Sequence, residues 1–348
     1  MIVKRFQNHV AESRIALPLT GVYAFLVCAA GGLFADKLWL QFGLLAISSF
    51  LIMLLNNSNA LIRIYSRMVS CSFLALAVMS HFLFVDIRCG IVQSCFISFY
   101  LFLFSAYQDN RAVGRVFYAF MMLGIASVFF VQILYLVPVA WILLCTNIMI
   151  RNLRAFLASI LGIVVPYWFV GAYYIYCGQM DYIPNHFQEL IQFDSIMEWT
   201  TMPLSHIVTA SYVAKLSVMG MIHFRLNNYK DKIRTRMLFE IFSVMAICSI
   251  VFLILQPQHI DFLLALLIVS SSPMIGHYIA LTNTRITNIS FYIILILTVI
   301  LTFINIWMPF YVVLLIGAFG VCCCRHFLPE VSSRLVARPL WWVCKLQV

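Results

Sequence analysis

Charge is scarce in this chain, and its scarcity excludes most soluble folds. Among 348 residues stand 22 Lys or Arg and 12 Asp or Glu, 10% in all against 64% apolar, where a globular domain carries about a quarter charged residues. No polar stretch is long enough to fold as a domain of its own. The longest segments outside the apolar runs are 177–203 and the residues from Arg325 onward. The 11 cysteines include no Cys-x-x-Cys pair, and the 8 histidines include no His-x-x-x-His or His-Glu spacing. No metal site and no cofactor is therefore expected.

What is there is a series of long apolar runs. A spanning helix needs roughly 20 mostly apolar residues, because backbone N–H and C=O groups must pair within the segment where no water reaches them. On that rule the chain reads as an all-α transmembrane helix bundle of about twelve spans, near 15–35, 38–55, 69–85, 90–107, 116–131, 133–150, 155–176, 204–224, 237–256, 262–281, 289–307 and 310–324. Residues 1–324 make a single transmembrane domain. Residues 325–348 make a cytoplasmic tail, whose Trp341 and Trp342 beside Arg338 and Lys345 suit the headgroup layer.

The gaps between runs alternate in charge. Every Lys and Arg except Lys37, Arg88 and Lys215 falls in the amino-terminal segment, in alternate gaps around Arg63, Arg111, Arg151, Arg225–Arg236 and Arg285, or in the tail. The other gaps hold Asp36, Asp86, Asp181, Glu189, Asp194, Glu198 and Asp261. Basic connections are retained on the cytoplasmic side, so both termini are expected there. The stretch 116–150 tests this threading. One crossing would reverse the charge rule for every later gap, so two short helices, or a pair that dips and returns, are expected. The net charge of +10 is spread over seven segments with no single stripe. Anionic headgroups of the bilayer, not nucleic acid, are its expected partner.

Segment 177–203 carries four acids and no Lys or Arg. Ser195 followed by Glu198 has the form of a capping box, and a first short helix from Pro184 would bury Phe187, Leu190 and Ile191 on a membrane face. His186 lies among its acids. Cys89 and Cys177, both near the outer surface, are candidates to pair.

Three stretches carry a resemblance: 124–179, with a short span, a short return, a basic turn and a Gly- and Pro-containing span; NNSNALIRIYSRM at 56–68; and SSSPMIGHYIALTN at 270–283. They resemble an uncharacterised family of polytopic inner-membrane proteins found in Bacteroidota. More distantly, 124–179 looks like the core of the C-type glycosyltransferases, which use polyprenyl-phosphate sugars. That resemblance implies a bacterial inner-membrane location and a polyprenyl-phosphate-linked glycan as partner. It also implies a catalytic acid in a long first outer loop, whereas here only Asp36 and Lys37 separate the first two spans.

Ionisable groups within a span are costly unless paired or facing water. Lys215 lies deep in 204–224, where it would bind a phosphate or carboxylate, snorkel, or pair with Glu240; Glu240 has Arg236 one turn away. Asp36 and Asp86 are the candidate catalytic acids and Arg88 a phosphate ligand, with solvated loop charges as the plain alternative. Asp181, His186, Glu189, Asp194 and Glu198 would cover the cavity from the outer loop. Pro273 after three serines predicts a kink at 270–276. The leading expectation is a protein that acts on or holds a lipid-linked intermediate in envelope glycan assembly; the alternatives are a transporter or flippase, and a non-catalytic scaffold. Reporters inserted within 225–236 and within 177–203 are expected to read opposite sides of the membrane, and a common side would undo the threading.

Overall fold

The computed structural model describes residues 5–179, 182–191, 199 and 202–327, with 182–183 and 308–327 as backbone. Every regular element among the described residues is helical. The chain begins with α1 (Phe6–Glu12) and α2 (Ala16–Ala30), which meet at 89°. A turn with Lys37 at φ 54° leads to α3 (Trp39–Asn59). Next come α4 (Met68–Met79), α5 (His81–Val85), α6 (Ile87–Ser105), α7 (Val113–Phe129) and α8 (Leu136–Thr146). They are followed by α9 (Leu153–Tyr176), α10 (Tyr182–Ile191), α11 (Leu204–Asn227), α12 (Ile233–Leu255), α13 (Ile260–Leu281) and α14 (Arg285–Phe327). Residues up to Thr302 form one unit; α14 runs on into a second, Phe303–Val348, whose described part is helix.

Seven of these stretches are long and apolar enough to cross a bilayer, and an eighth if α1 and α2 count as one bent span. The chain is a multi-pass membrane protein. Three expected spans are filled by shorter apolar helices, Met68–Met79, Val113–Phe129 and Val131–Thr146. The causes are local. Ser80 leaves the helical region at φ −89°, ψ 61° and ends α4, and Phe130 is extended at φ −146°, ψ 91° and ends α7. The boundary expected between 289–307 and 310–324 falls inside α14, which stays helical through Pro309. Pro166 and Pro273 also stand inside helices, since each removes a single ladder bond.

Lipid tails are as apolar as leucine, so burying apolar surface between helices gains little, and close packing with interhelical hydrogen bonds must hold the bundle. Helix α13 depends on both. Every residue from Leu263 to Ala280 is buried. A Cβ at Gly276 would lie 2.9 Å from the Val69 backbone in α4, and one at Gly220 in α11 would lie 3.1 Å from the Met274 carbonyl carbon. Ser270 meets Tyr100 of α6 oxygen to oxygen at 2.9 Å. Helices α7 and α9 cross on a second glycine pair, where a Cβ at Gly162 would stand 2.5 Å from the Phe117 carbonyl and one at Gly124 2.8 Å from the Ile163 carbonyl. Ser48 with Ser94 (2.8 Å) and Tyr167 with Ser127 (2.8 Å) tie α3 to α6 and α9 to α7.

Polar contacts gather the connections into two ends. At one, Arg5 Nε donates to Asn283 O (2.7 Å), Arg63 to Lys230 O (3.4 Å), Arg234 to Asn59 Oδ1 (3.0 Å), and Asn147 to Met237 O (3.3 Å). Gln108 N–H donates to Ile148 O (3.0 Å), joining the connection before α7 to the one after α8. The 116–150 stretch is therefore a hairpin of two short helices that returns to the end it left. At the other end Gly31 packs on His81, Gln41 donates to Val85 O (3.4 Å), Phe82 stacks on His206 (3.7 Å), and His206 meets Asp261 (3.2 Å). Basic connections collect at the first end, and Asp36, Asp86 and Asp261 at the second. Substituting Gly276→Ala or Gly162→Ala should cost about 1–3 kcal/mol by overpacking. Gly21→Ala, with nothing within 4 Å of its Cβ, should stay within about 0.5 kcal/mol; melting of the detergent-purified protein measures all three.

Candidate functional site

The acidic end holds the residues singled out for catalysis, in separate surroundings. Asp36 is exposed in the turn before α3, beside Gly32. Asp86 caps α6, its Oδ1 accepting the Arg88 backbone N–H at 2.9 Å and its Oδ2 lying 3.9 Å from Cys89 Sγ. It lines a cavity of about 20 Å³ with Gln41, Cys89 and Gln93, room for one water. Neither Asp36 nor the exposed Arg88 lines that cavity. Cys89 is buried and free, as is Cys177 at the surface, so the two do not pair.

Lys215 stands apart from all of these. It is exposed on α11, in an open groove of about 610 Å³ lined by Val218, Met219, Ile222, His223 and Tyr278. Glu240 is not its partner, nor that of Arg236: its Oε2 accepts from Asn147 Nδ2 at 2.9 Å, and Arg236 Nε is buried without a hydrogen bond. Asn147 reaches it because the α7–α8 hairpin returns beside α12. In segment 177–203 α10 begins two residues before the expected Pro184, and Phe187 and Leu190 are half-buried while Ile191 is exposed. His186 Nε2 lies 3.0 Å from Ser127 O, and Tyr135 OH donates to Leu190 O, which pins α10 to the hairpin. Glu189 is exposed. Asp181, Asp194, Glu198, the Ser195 capping box and the tail residues Trp341 and Trp342 lie outside the described residues.

The basic end carries a more closely built cluster. Asp231, between Lys230 and Lys232, accepts from His277 Nε2 at 3.0 Å, with 3% and 1% of the two side chains exposed. Arg63 reaches the other carboxylate oxygen at 3.9 Å. The His277 ring is enclosed by Phe224 (5.3 Å), Phe239 (5.1 Å) and His223 (5.7 Å). Above this pair opens a cavity of about 380 Å³, walled by 58–63, 230–232, Arg234 and Thr235. A carboxylate between two lysines in an otherwise basic gap was the available signal, together with a histidine near the finish of a span. Charge counting by gap conceals both.

Apolar side chains line a second opening. Residues of α1, α2, α4, α11, α13 and α14 enclose a cleft of about 300 Å³, with Thr20, Tyr23, Ser72 and Thr298 its polar members and no charged one.

Searches against protein-family models, curated proteins and solved structures found no match to this chain. The site therefore rests on its own geometry. Breaking the buried pair from one side strands a carboxylate, so His277→Leu should lower stability by about 3–5 kcal/mol. Asp231→Asn keeps a hydrogen-bonding partner for the ring and should cost less, about 1–3 kcal/mol, and thermal melting in detergent orders the two.

Proposed function

We propose that this chain is a bacterial inner-membrane protein, threaded about twelve times with both termini cytoplasmic, that acts on or holds a lipid-linked intermediate of envelope glycan assembly. On this reading its scaffold is like that of the C-type glycosyltransferases. The observation that carries the reading is the apolar cleft between α2, α4, α13 and α14. Its about 300 Å³ is at the lower limit of small-molecule pockets, ~300–1,000 Å³, and admits a few isoprene units. Its walls offer a chain no charge, and Val10 of α1 brings one wall to the basic end. There Arg5 and Arg14 flank α1, the latter with its guanidinium 6.0 Å from the Tyr65 ring centroid. A phosphate at the head of such a chain would meet cations where its tail leaves the cleft.

The alternation of charged gaps supports the threading, to which the seven to eight long helices and three short apolar ones contribute up to eleven crossings. The return of α8 to the start of α7 keeps the parity of every later connection. A flippase would share the cleft and differ in moving its lipid.

Lipid extracted from the purified protein should be enriched in isoprenoid phosphate over the surrounding membrane. Filling the cleft with Ala75→Phe should remove most of that enrichment. Cells carrying Asp36→Ala, Asp86→Ala or Lys215→Ala should show altered surface glycans or accumulated lipid-linked sugars. No enrichment, together with wild-type glycans in all three, overturns the proposal, and scrambling of the lipid by proteoliposomes would reassign it to a flippase.

A further inference from the structure

We propose that the cavity at the basic end is a binding site for a phosphate or diphosphate group. Four cationic side chains line it: Arg63 from the connection after α3, Lys230 and Lys232 from the connection into α12, and Arg234 from the first turn of α12. Like charges so placed repel one another, and a dianion among them removes the repulsion while accepting charge-assisted hydrogen bonds. One carboxylate stands in the wall, Asp231. It is committed to His277 at 3.0 Å and to Arg63 at 3.9 Å, so it fixes the loop without neutralising Lys230, Lys232 or Arg234.

The cations differ in how far the protein satisfies them. Arg234 uses Nη2 on Asn59 Oδ1 (3.0 Å) and Phe104 O (3.4 Å), and its guanidinium lies over Tyr107 at 5.6 Å. Lys230 has its ammonium over the Tyr229 ring at 5.2 Å. Lys232 has neither an ion pair nor a hydrogen bond among the described residues. The two arginines are thus held in place as walls, Lys230 rests on an aromatic face, and Lys232 is free to close on a ligand.

The backbone adds donors of the same sense. The first N–H groups of α12 have no partner within the helix, and Lys232 at its N-cap supplies no side-chain acceptor. At the same end a side-chain oxygen accepts a backbone N–H at the start of α2 (Ser13), α4 (Ser66), α9 (Asn152) and α14 (Thr284). An anion in the cavity would stand where those oxygens stand. Thr235 and Ser58 on the rim extend the polar lining. The cavity, about 380 Å³, exceeds what a single phosphate needs and accommodates a diphosphate or the group it bears.

This site is separate from the apolar cleft and does not rest on the glycan reading. The test uses the full chain in phosphatidylcholine nanodiscs titrated with inorganic pyrophosphate, and in nanodiscs doped with phosphatidic acid, with calorimetry and melting temperature as readouts. Saturable pyrophosphate binding assigns a soluble phosphate. Stabilisation by phosphatidic acid without saturable pyrophosphate binding assigns a lipid headgroup. In either case Lys230→Gln with Lys232→Gln should weaken the response by about tenfold or more, and Arg111→Gln, elsewhere on the same end, should not. Lys232→Gln by itself, at a residue without a partner, serves if the double variant melts lower than wild type. No response to either probe, or a response that these variants leave unchanged, overturns the site. Pyrophosphate binding in a protein that yields no isoprenoid phosphate, with wild-type glycans in the three variants, would sink the glycan reading and leave this one standing.

Discussion

A helix with no lipid face must obtain every contact from its neighbours, and α13 constrains the bundle in that way. Gly276 admits the Val69 backbone on one side, and Gly220 of α11 admits Met274. Ser270 engages Tyr100 of α6, while Ser271 and Ser272 turn back to the Ile268 carbonyl of their own helix. His277 reaches the loop before α12. Each contact fixes a different neighbour, so α4, α6, α11 and α12 are positioned by one element. The periphery is under less restraint. Helices α3 and α9 turn Ile47, Phe50, Leu161 and Trp168 outward, and lipid accommodates any apolar side chain there.

Much of this plan was legible in the sequence, because insertion sorts cations to one side and lipid demands long apolar runs. The helical segments up to 281, the two charged ends and the returning hairpin follow from those constraints, whereas the expected separation of 289–307 from 310–324 does not appear, since α14 runs through both. Length per segment was harder to read, since Ser80 and Phe130 break runs that composition leaves continuous. Side-chain partners were harder still. Lys215 and Glu240 were candidates for each other by depth, yet Lys215 stands exposed on α11, and periodicity cannot tell a lipid groove from a cavity. Asp231 and His277 stand 46 residues apart and share no local pattern. Yet residues far apart in the chain do meet there: Arg63 and His277 contact the same carboxylate.

The sign rule that retains cations on one side has unequal effects on the helices that meet there. Helices α3, α6 and α13 finish at the basic end, where their carbonyls carry partial negative charge. Cations and amides serve them well: Arg234 donates to Phe104 O, Arg115 to Ser105 O, and Gln7 to Ile279 O. Helices α4, α7, α9, α12 and α14 start at the same end, and there the dipole and the cations have the same sign. Most offset this with a local oxygen. Asn152 caps α9, Thr284 caps α14, and Asp109 before α7 lies 3.3 Å from Arg115. For α12 the nearest acid is Asp231, and His277 draws it inward, away from the helix start.

That diversion couples the loop to the core. His277 lies one turn from the finish of α13, enclosed by Phe224 and Phe239, so the position of Asp231 is set by the helix that never meets lipid. A loop between two spans at a membrane surface ordinarily moves with its solvent. Here its one acid is anchored in the protein interior, and the lysines on either side of it are held outward at the cavity. The cationic face of α12 is therefore a consequence of how α13 packs, and a change in that packing would be felt first at Lys230 and Lys232.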